Sequence, residues 1–282
     1  MKLNKETDKN PVTLPIFHNW WGQYSLQDDE VGHWQVGPMD LWIQRENNDW
    51  LIMYKTENEP LDTRVSVDIN YDKTRLPLKE NAELSRYSFV NPQSDVYLQP
   101  MLADRPVISK PELPLYLPAG ESVMFYVSSP LWINVKQGSN MKSLFERPIY
   151  RPSDTWYGPP TRRGGLGYAT QTMAKTSLDD FPFSPFRAIT PVLIRNNASN
   201  NLFIEQINLP APYLTLFQAR KGIFWTQTMI LERDDDDSQE MALLRLSRGA
   251  PLEEGVSTVV AESRRRADKN IVIRAFSRLF LN

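Results

Sequence analysis

The chain has 282 residues, 41% hydrophobic and 23% charged, with a formal net charge of −2 at neutral pH. This balance excludes wholesale disorder and offers no broad basic surface for nucleic acid. The absence of cysteine excludes disulfides, thiolate metal sites and cysteine nucleophiles.

Residues 1–15 read as a polar N-terminal tail punctuated by Pro11 and Pro15. The opening Met1 to Lys9 lacks the apolar core of a signal peptide, so a cytoplasmic location is expected. No apolar run in the chain approaches the roughly 18 residues of a membrane-spanning helix. Twenty-two prolines against twelve glycines, with eight Trp, eleven Tyr and twelve Phe, favour short strands joined by stiff loops.

Strands follow one another from residue 39. Met39 to Gln44 alternates, with Met39, Leu41 and Ile43 on one face, and Trp50 to Tyr54 follows the turn-rich Glu46-Asn47-Asn48-Asp49, which reads as a hairpin connection. Arg64 to Tyr71 has the cleanest period of two: Val65, Val67, Ile69 and Tyr71 face one way, Ser66, Asp68 and Asn70 the other. Leu115-Tyr116-Leu117 and Val123 to Val127 flank Pro118-Ala119-Gly120-Glu121 as strand, turn, strand. Leu131, Ile133 and Val135 continue the alternation.

Residues 146–165 are the longest stretch without periodicity, either a linker or a functional loop. Strands resume at Leu166 to Thr170, Ala188 to Ile194, Leu202 to Leu209, Tyr213 to Ala219, Gly222 to Glu232 and Met241 to Ser247. The last two bracket an acidic tip, Asp234 to Asp237, as a long hairpin. At the C-terminus Val272, Phe276, Leu279 and Phe280 stand at i, i+4, i+7 and i+8, the stripe of a short helix with Asp268 as its N-cap, although Ile271-Val272-Ile273 also reads as a strand.

Several of these strings resemble the prokaryotic family called domain of unknown function 432. They are Pro130-Leu131-Trp132-Ile133-Asn134-Val135, Arg151-Pro152-Ser153-Asp154-Thr155-Trp156-Tyr157-Gly158-Pro159-Pro160 and Gly165-Leu166-Gly167-Tyr168-Ala169. The early Trp21-Gly22-Gln23-Tyr24 and Gly37-Pro38-Met39-Asp40-Leu41-Trp42 are similar too, so the likeness spans roughly residues 20–250. The resemblance implies a β-rich soluble protein and supplies no catalytic residues to carry over. Relatives encoded near mechanosensitive channels imply, through the same resemblance, a membrane-protein partner.

Candidate chemistry is sparse. His18 and His33 lie near Asp28, Asp29 and Glu30, but two histidines at loose spacing are a weak metal set, and neither a metal nor a cofactor is expected. No G-x-S-x-G elbow supports a serine nucleophile. Arg162-Arg163-Gly164-Gly165-Leu166-Gly167 has the glycines and charge of a phosphate cradle without the ending of a P-loop; solvated arginines at a turn are the commoner reading. Asp154, Trp156 and Tyr157 occupy the same stretch, so Asp154, Trp156, Tyr157, Arg162 and Arg163 form the candidate ligand-binding set.

Eight tryptophans invite a carbohydrate reading, with Trp42 and Trp132 on the polar face of their strands, although burial is the commoner fate of large aromatics. The aspartate run lacks EF-hand spacing and reads as a solvated tip. Residues 258–282 carry Arg264, Arg265, Arg266, Lys269, Arg274 and Arg278 against Glu262 and Asp268, a net of +4. Such a basic amphipathic segment either lies on anionic lipid or a partner, or docks its apolar face on the protein's own body.

The fold expected is all-β. It would be an antiparallel β-sandwich, either one large body or two consecutive lobes over residues 16–150 and 151–257, followed by the basic segment 258–282 with its short C-terminal helix. The function expected is that of a non-enzymatic interaction protein, an accessory to a membrane complex with an unidentified protein partner. The alternatives are a carbohydrate- or small-molecule-binding jelly-roll-like module and a carboxylate-based enzyme.

Overall fold

A computed structural model describes residues 15–59, 61–78, 80–138, 140–158, 164–179, 181–235, 240–251, 257–266 and 271–276. The described chain is all-β, built of several mostly antiparallel open sheets, and its helical pieces are two single 3-10 turns, Lys73–Arg75 and Ala211–Tyr213. Among the described residues no helix is long and apolar enough to cross a membrane.

The most local part is a five-stranded antiparallel sheet in the order Val65–Asp68, Val31–Val36, Met39–Glu46, Asp49–Thr56, Glu83–Ser88. Two-residue turns set its register. Gly37-Pro38 joins Val36 to its partner Met39, and Asn47-Asn48 joins Glu46 to Asp49. Both turns need a positive φ, 55° at Gly37 and 52° at Asn47, which glycine and asparagine tolerate best. Gly37 has a second reason to lack a side chain, because a Cβ there would stand 2.3 Å from the Phe186 ring. Leu41, Ile43 and Ile52 are fully buried, each worth roughly 1.5–3 kcal/mol on removal from water.

A four-stranded sheet, Gly22–Ser25, Asp95–Met101, Trp132–Gln137 and Lys142–Pro148, contributes Leu98, Ile133 and Val135 to the same core cluster. The largest sheet has eight strands around Arg187–Asn196. Ser122–Pro130 pairs along the whole of that strand, from Ser122 opposite Arg195 to Pro130 opposite Arg187. This ladder joins segments from either side of residues 146–160.

The other edge of Arg187–Asn196 is shared end to end by Phe224–Thr226 and Met229–Arg233, both parallel to it. The single strand expected over 222–232 is therefore two, broken at Gln227-Thr228. The turn at Pro118 to Glu121 exists, but its flanking strands do not pair with each other: Leu115–Leu117 pairs with Leu202–Ile204, and Ser122–Pro130 with Arg187–Asn196.

The C-terminal helix is corrected. Ile271–Arg274 is a strand on the edge of Met241–Leu246, and the backbone N–H groups of Ala275 and Phe276 donate to the Glu240 carbonyl. Three consecutive β-branched residues lose χ1 freedom in a helix and fit a pleated edge. Phe276 is buried and bridges to Ile207. Asp268, Leu279 and Phe280, which the helix reading also used, lie outside the described residues, as do residues 1–14 of the tail expected over 1–15.

Candidate functional site

The aperiodic stretch beginning at residue 146 contains a hairpin. Ser153–Tyr157 runs antiparallel to Gly165–Ala169, with Trp156 opposite Leu166 and Asp154 opposite Tyr168. Side chains alternate across a strand, so Asp154, Trp156, Leu166 and Tyr168 share one face and Tyr157 lies on the other. The Tyr157 ring lies over Gly165, where a Cβ would come within 2.6 Å of the ring. At Gly167 a Cβ would meet the Pro106 carbonyl at 2.8 Å. The glycines are there for close approach, since the hairpin packs flat against its neighbours only without side chains at those points.

Asp154 belongs to a charged cluster. Arg105 reaches it at 3.3 Å and Arg151 at 3.5 Å. Opposite, the Tyr168 hydroxyl donates to Asp104 Oδ1 at 2.9 Å, and the Arg105 guanidinium sits 5.5 Å from the Tyr168 ring centroid. Burial, and then the bond to the Asp104 carboxylate, push the Tyr168 phenol up to about 12. Tyr168 therefore stays protonated and serves as a fixed donor.

On one side of this hairpin opens a groove of about 750 Å³. The hairpin lends it Tyr157, Gly164, Gly165 and Leu166; the segment before Pro106 lends Asp104 and Arg105. The C-terminal segment supplies Arg265, Val272, Ile273 and Arg274, and Asn208, Pro210, Pro212 and Tyr213 complete the lining with Met241. Arg274 is ion-paired with Glu240 and packs on Gly158, whose φ is +81° and whose Cβ would stand 2.8 Å from the Arg274 side chain. Arg265 is exposed and makes no ion pair among the described residues, while its backbone N–H is anchored to Pro212 O at 2.8 Å. Asn208 is buried; its Nδ2 donates to Arg274 O at 2.7 Å, and its Oδ1 has no partner among the described residues.

Of the expected site residues, the structure brings Asp154, Trp156 and Tyr157 onto one strand, and Arg162 and Arg163 lie outside the described residues. Sequence reasoning missed Arg105 and Asn208. It marked the aperiodic stretch 146–165 and the basic C-terminal segment separately, with no signal that Arg265 and Arg274 would face Tyr157 across a groove.

The other candidates take plainer places. His18 is exposed, and His33 stacks on Trp42 with its Nε2 2.8 Å from Asp40. Burial raises the Asp40 carboxyl, but the His33 hydrogen bond and the Lys55 charge outweigh it and hold Asp40 below the usual range. Among the described residues no group of three or more His, Asp or Glu side chains is placed to hold a metal. Asp235 caps the turn at Ser199, accepting from its N–H and hydroxyl at 2.6 and 2.8 Å, while Asp236 and Asp237 lie outside the described residues. Six of the eight tryptophans are buried, Trp42 and Trp132 among them, and Trp156 is the most exposed at 51%.

The family model described as Protein of unknown function (DUF432) matches residues 20–281, and the chain belongs to that family. No curated protein and no solved structure matches it.

Proposed function

We propose that this member of the DUF432 family is a non-enzymatic interaction protein whose groove beside the 153–169 hairpin holds an extended acidic segment of a partner protein. One observation carries the reading: among the described residues the groove is lined by three arginines, of which Arg105 and Arg274 ion-pair with Asp154 and Glu240 while Arg265 makes no ion pair, with the exposed Leu166 and Val272 alongside. Trp156, across the ladder from Leu166, extends that apolar rim. Arginine and exposed tryptophan are among the residues enriched at interface hot spots. Among the described residues the lining holds a single carboxylate, which gives no acid–base pair for hydrolysis. A cytoplasmic setting and a role as accessory to a membrane complex fit the same reading. So does a sandwich-like body, since Tyr54 of the five-stranded sheet meets Phe145 of the four-stranded one edge to face at 5.0 Å.

The test uses a fluorescein-labelled decapeptide of alternating Glu and Leu, with a Gln and Leu decapeptide as the neutral control, read by anisotropy. The acidic peptide should bind and weaken as salt rises, because screening shortens the reach of exposed charges to about 8 Å at physiological ionic strength. Arg265→Glu should lower its affinity by at least about tenfold, 1.4 kcal/mol, while stability moves by under about 0.5 kcal/mol, as for exposed substitutions generally. Equal binding of the two peptides, or an Arg265→Glu protein that binds like the wild type, would sink the reading.

A further inference from the structure

Away from the groove, at the start of the central strand of the largest sheet, Arg187 is buried to 6% exposure with no carboxylate beside it among the described residues. A guanidinium has five N–H donors. Nε donates to Ser128 Oγ at 2.7 Å. Nη2 donates to Ser128 O at 3.0 Å, Thr170 Oγ1 at 2.9 Å and Thr172 Oγ1 at 3.0 Å. Every one of these acceptors is neutral, and Nη1 makes no hydrogen bond among the described residues. A buried positive charge without an anion is unusual, because such charges are normally paired. Burial pulls this guanidinium down only to about 10, so it remains charged at neutral pH.

Arg187 also lines a small cavity of about 100 Å³. Leu61, Pro182 and Phe183 form its apolar lining, and Thr63 and Ser184 add hydroxyls. Ser184 Oγ already accepts from the Phe186 N–H at 3.4 Å, which leaves its own O–H to donate. The cavity is well below the roughly 300–1,000 Å³ of sites for drug-sized ligands, so it suits an acid of a few carbons.

We propose that Arg187 is the base of a binding site for a small organic carboxylate, with Nη1 and the Ser184 hydroxyl as donors and Leu61, Pro182 and Phe183 around its short hydrocarbon part. A tetrahedral phosphate fits less well. It would need several charged donors, whereas the cavity offers one, Arg187 Nη1, beside neutral hydroxyls and apolar side chains. The occupant supplies the missing negative charge, and a charge-assisted hydrogen bond is about twice as strong as a neutral one.

Propionate is the probe, and propionamide, nearly the same shape without the charge, is the control. Saturation-transfer NMR on the full-length protein should show the propionate methyl bound, with no signal from propionamide and none displaced by inorganic phosphate. Ser184→Ala should weaken propionate about threefold to tenfold, and Arg187→Gln should abolish it. If Arg187→Gln does not fold, the Ser184→Ala titration and the propionate–propionamide difference still decide. Equal signals from the two probes, displacement by phosphate, or an unchanged Ser184→Ala titration would overturn the site.

Discussion

The five-stranded sheet and the arginine-lined groove show two ways in which one chain encodes structure. In the three central strands of the sheet, neighbours in space are neighbours in sequence: Val36 meets Met39 and Glu46 meets Asp49 across two-residue turns, while Val65–Asp68 and Glu83–Ser88 return to its edges from further along the chain. In the groove, Tyr157, Asn208 and Arg274 come from three distant segments, held by a carbonyl here and a glycine there. Period-two burial and turn chemistry specify the first kind of region residue by residue. The second kind exists only after the first has formed, so its residues carry little local signature.

If that difference is real, substitutions in the two regions should fail differently. The largest effect belongs to the sheet. Trp50 is fully buried, and Trp50→Ala should cost about 3–5 kcal/mol, read as a fall in the urea midpoint with little change in slope. A loss under 1 kcal/mol would mean that the sheet core collapses around the gap and is less tightly specified than its register suggests.

Gly165→Ala should cost less, about 1–3 kcal/mol, the range for overpacking, because its Cβ must displace the Tyr157 ring. Acidic-peptide binding should fall with it. The double variant Gly165→Ala with Tyr157→Ala should be more stable than the sum of the single effects predicts. Strict additivity would show that ring and glycine are not coupled and that the hairpin tolerates a shift.

The smallest effect is a pH dependence within the sheet. Asp40 is held below the ordinary carboxylate range in the folded state, so the folded protein binds its proton less readily than the unfolded chain. The stabilisation is present above the unfolded value and is lost as pH falls through the lowered folded value. Asp40→Asn should therefore lose less stability than the wild type between neutral pH and the acid end of that window. Parallel acid profiles would remove the His33–Asp40–Lys55 group from the account of the sheet.

The strands around Met39, Trp50, Val65 and Trp132 were legible because one face is apolar and the turns contain glycine, proline or asparagine. Alternation puts Trp42 on the polar face and leaves open whether it is exposed or covers the sheet's second face; it packs with Val31 and Met53 under Tyr71 and Leu76. The second face of that sheet is covered by a segment more than twenty residues away, which no alternation can reveal. The hairpin at 153–157 was hidden for the opposite reason. Its residues run from exposed to half-buried, so there is no apolar face to read.

At the C-terminus, Val272 and Phe276 mimic a helical stripe, but Val272 is exposed on the sheet edge while Phe276 is buried. The β-branched run decided between two readings that spacing left open. Asp154, Trp156 and Tyr157 could be marked from residue type alone, whereas Arg105 and Asn208 acquire meaning only from what faces them.

The ladder between Ser122–Pro130 and Arg187–Asn196 has a consequence for biosynthesis. Ser122 leaves the ribosome 73 residues before its partner Arg195, a wait of roughly 4–15 s at 5–20 residues per second. Throughout that interval the Phe125 and Val127 side chains, both buried in the finished protein, belong to a strand that has no partner to pair with. The nascent chain therefore presents a sticky, unpaired β segment at a defined stage of translation, and that stage is where a holding chaperone would have the most to protect.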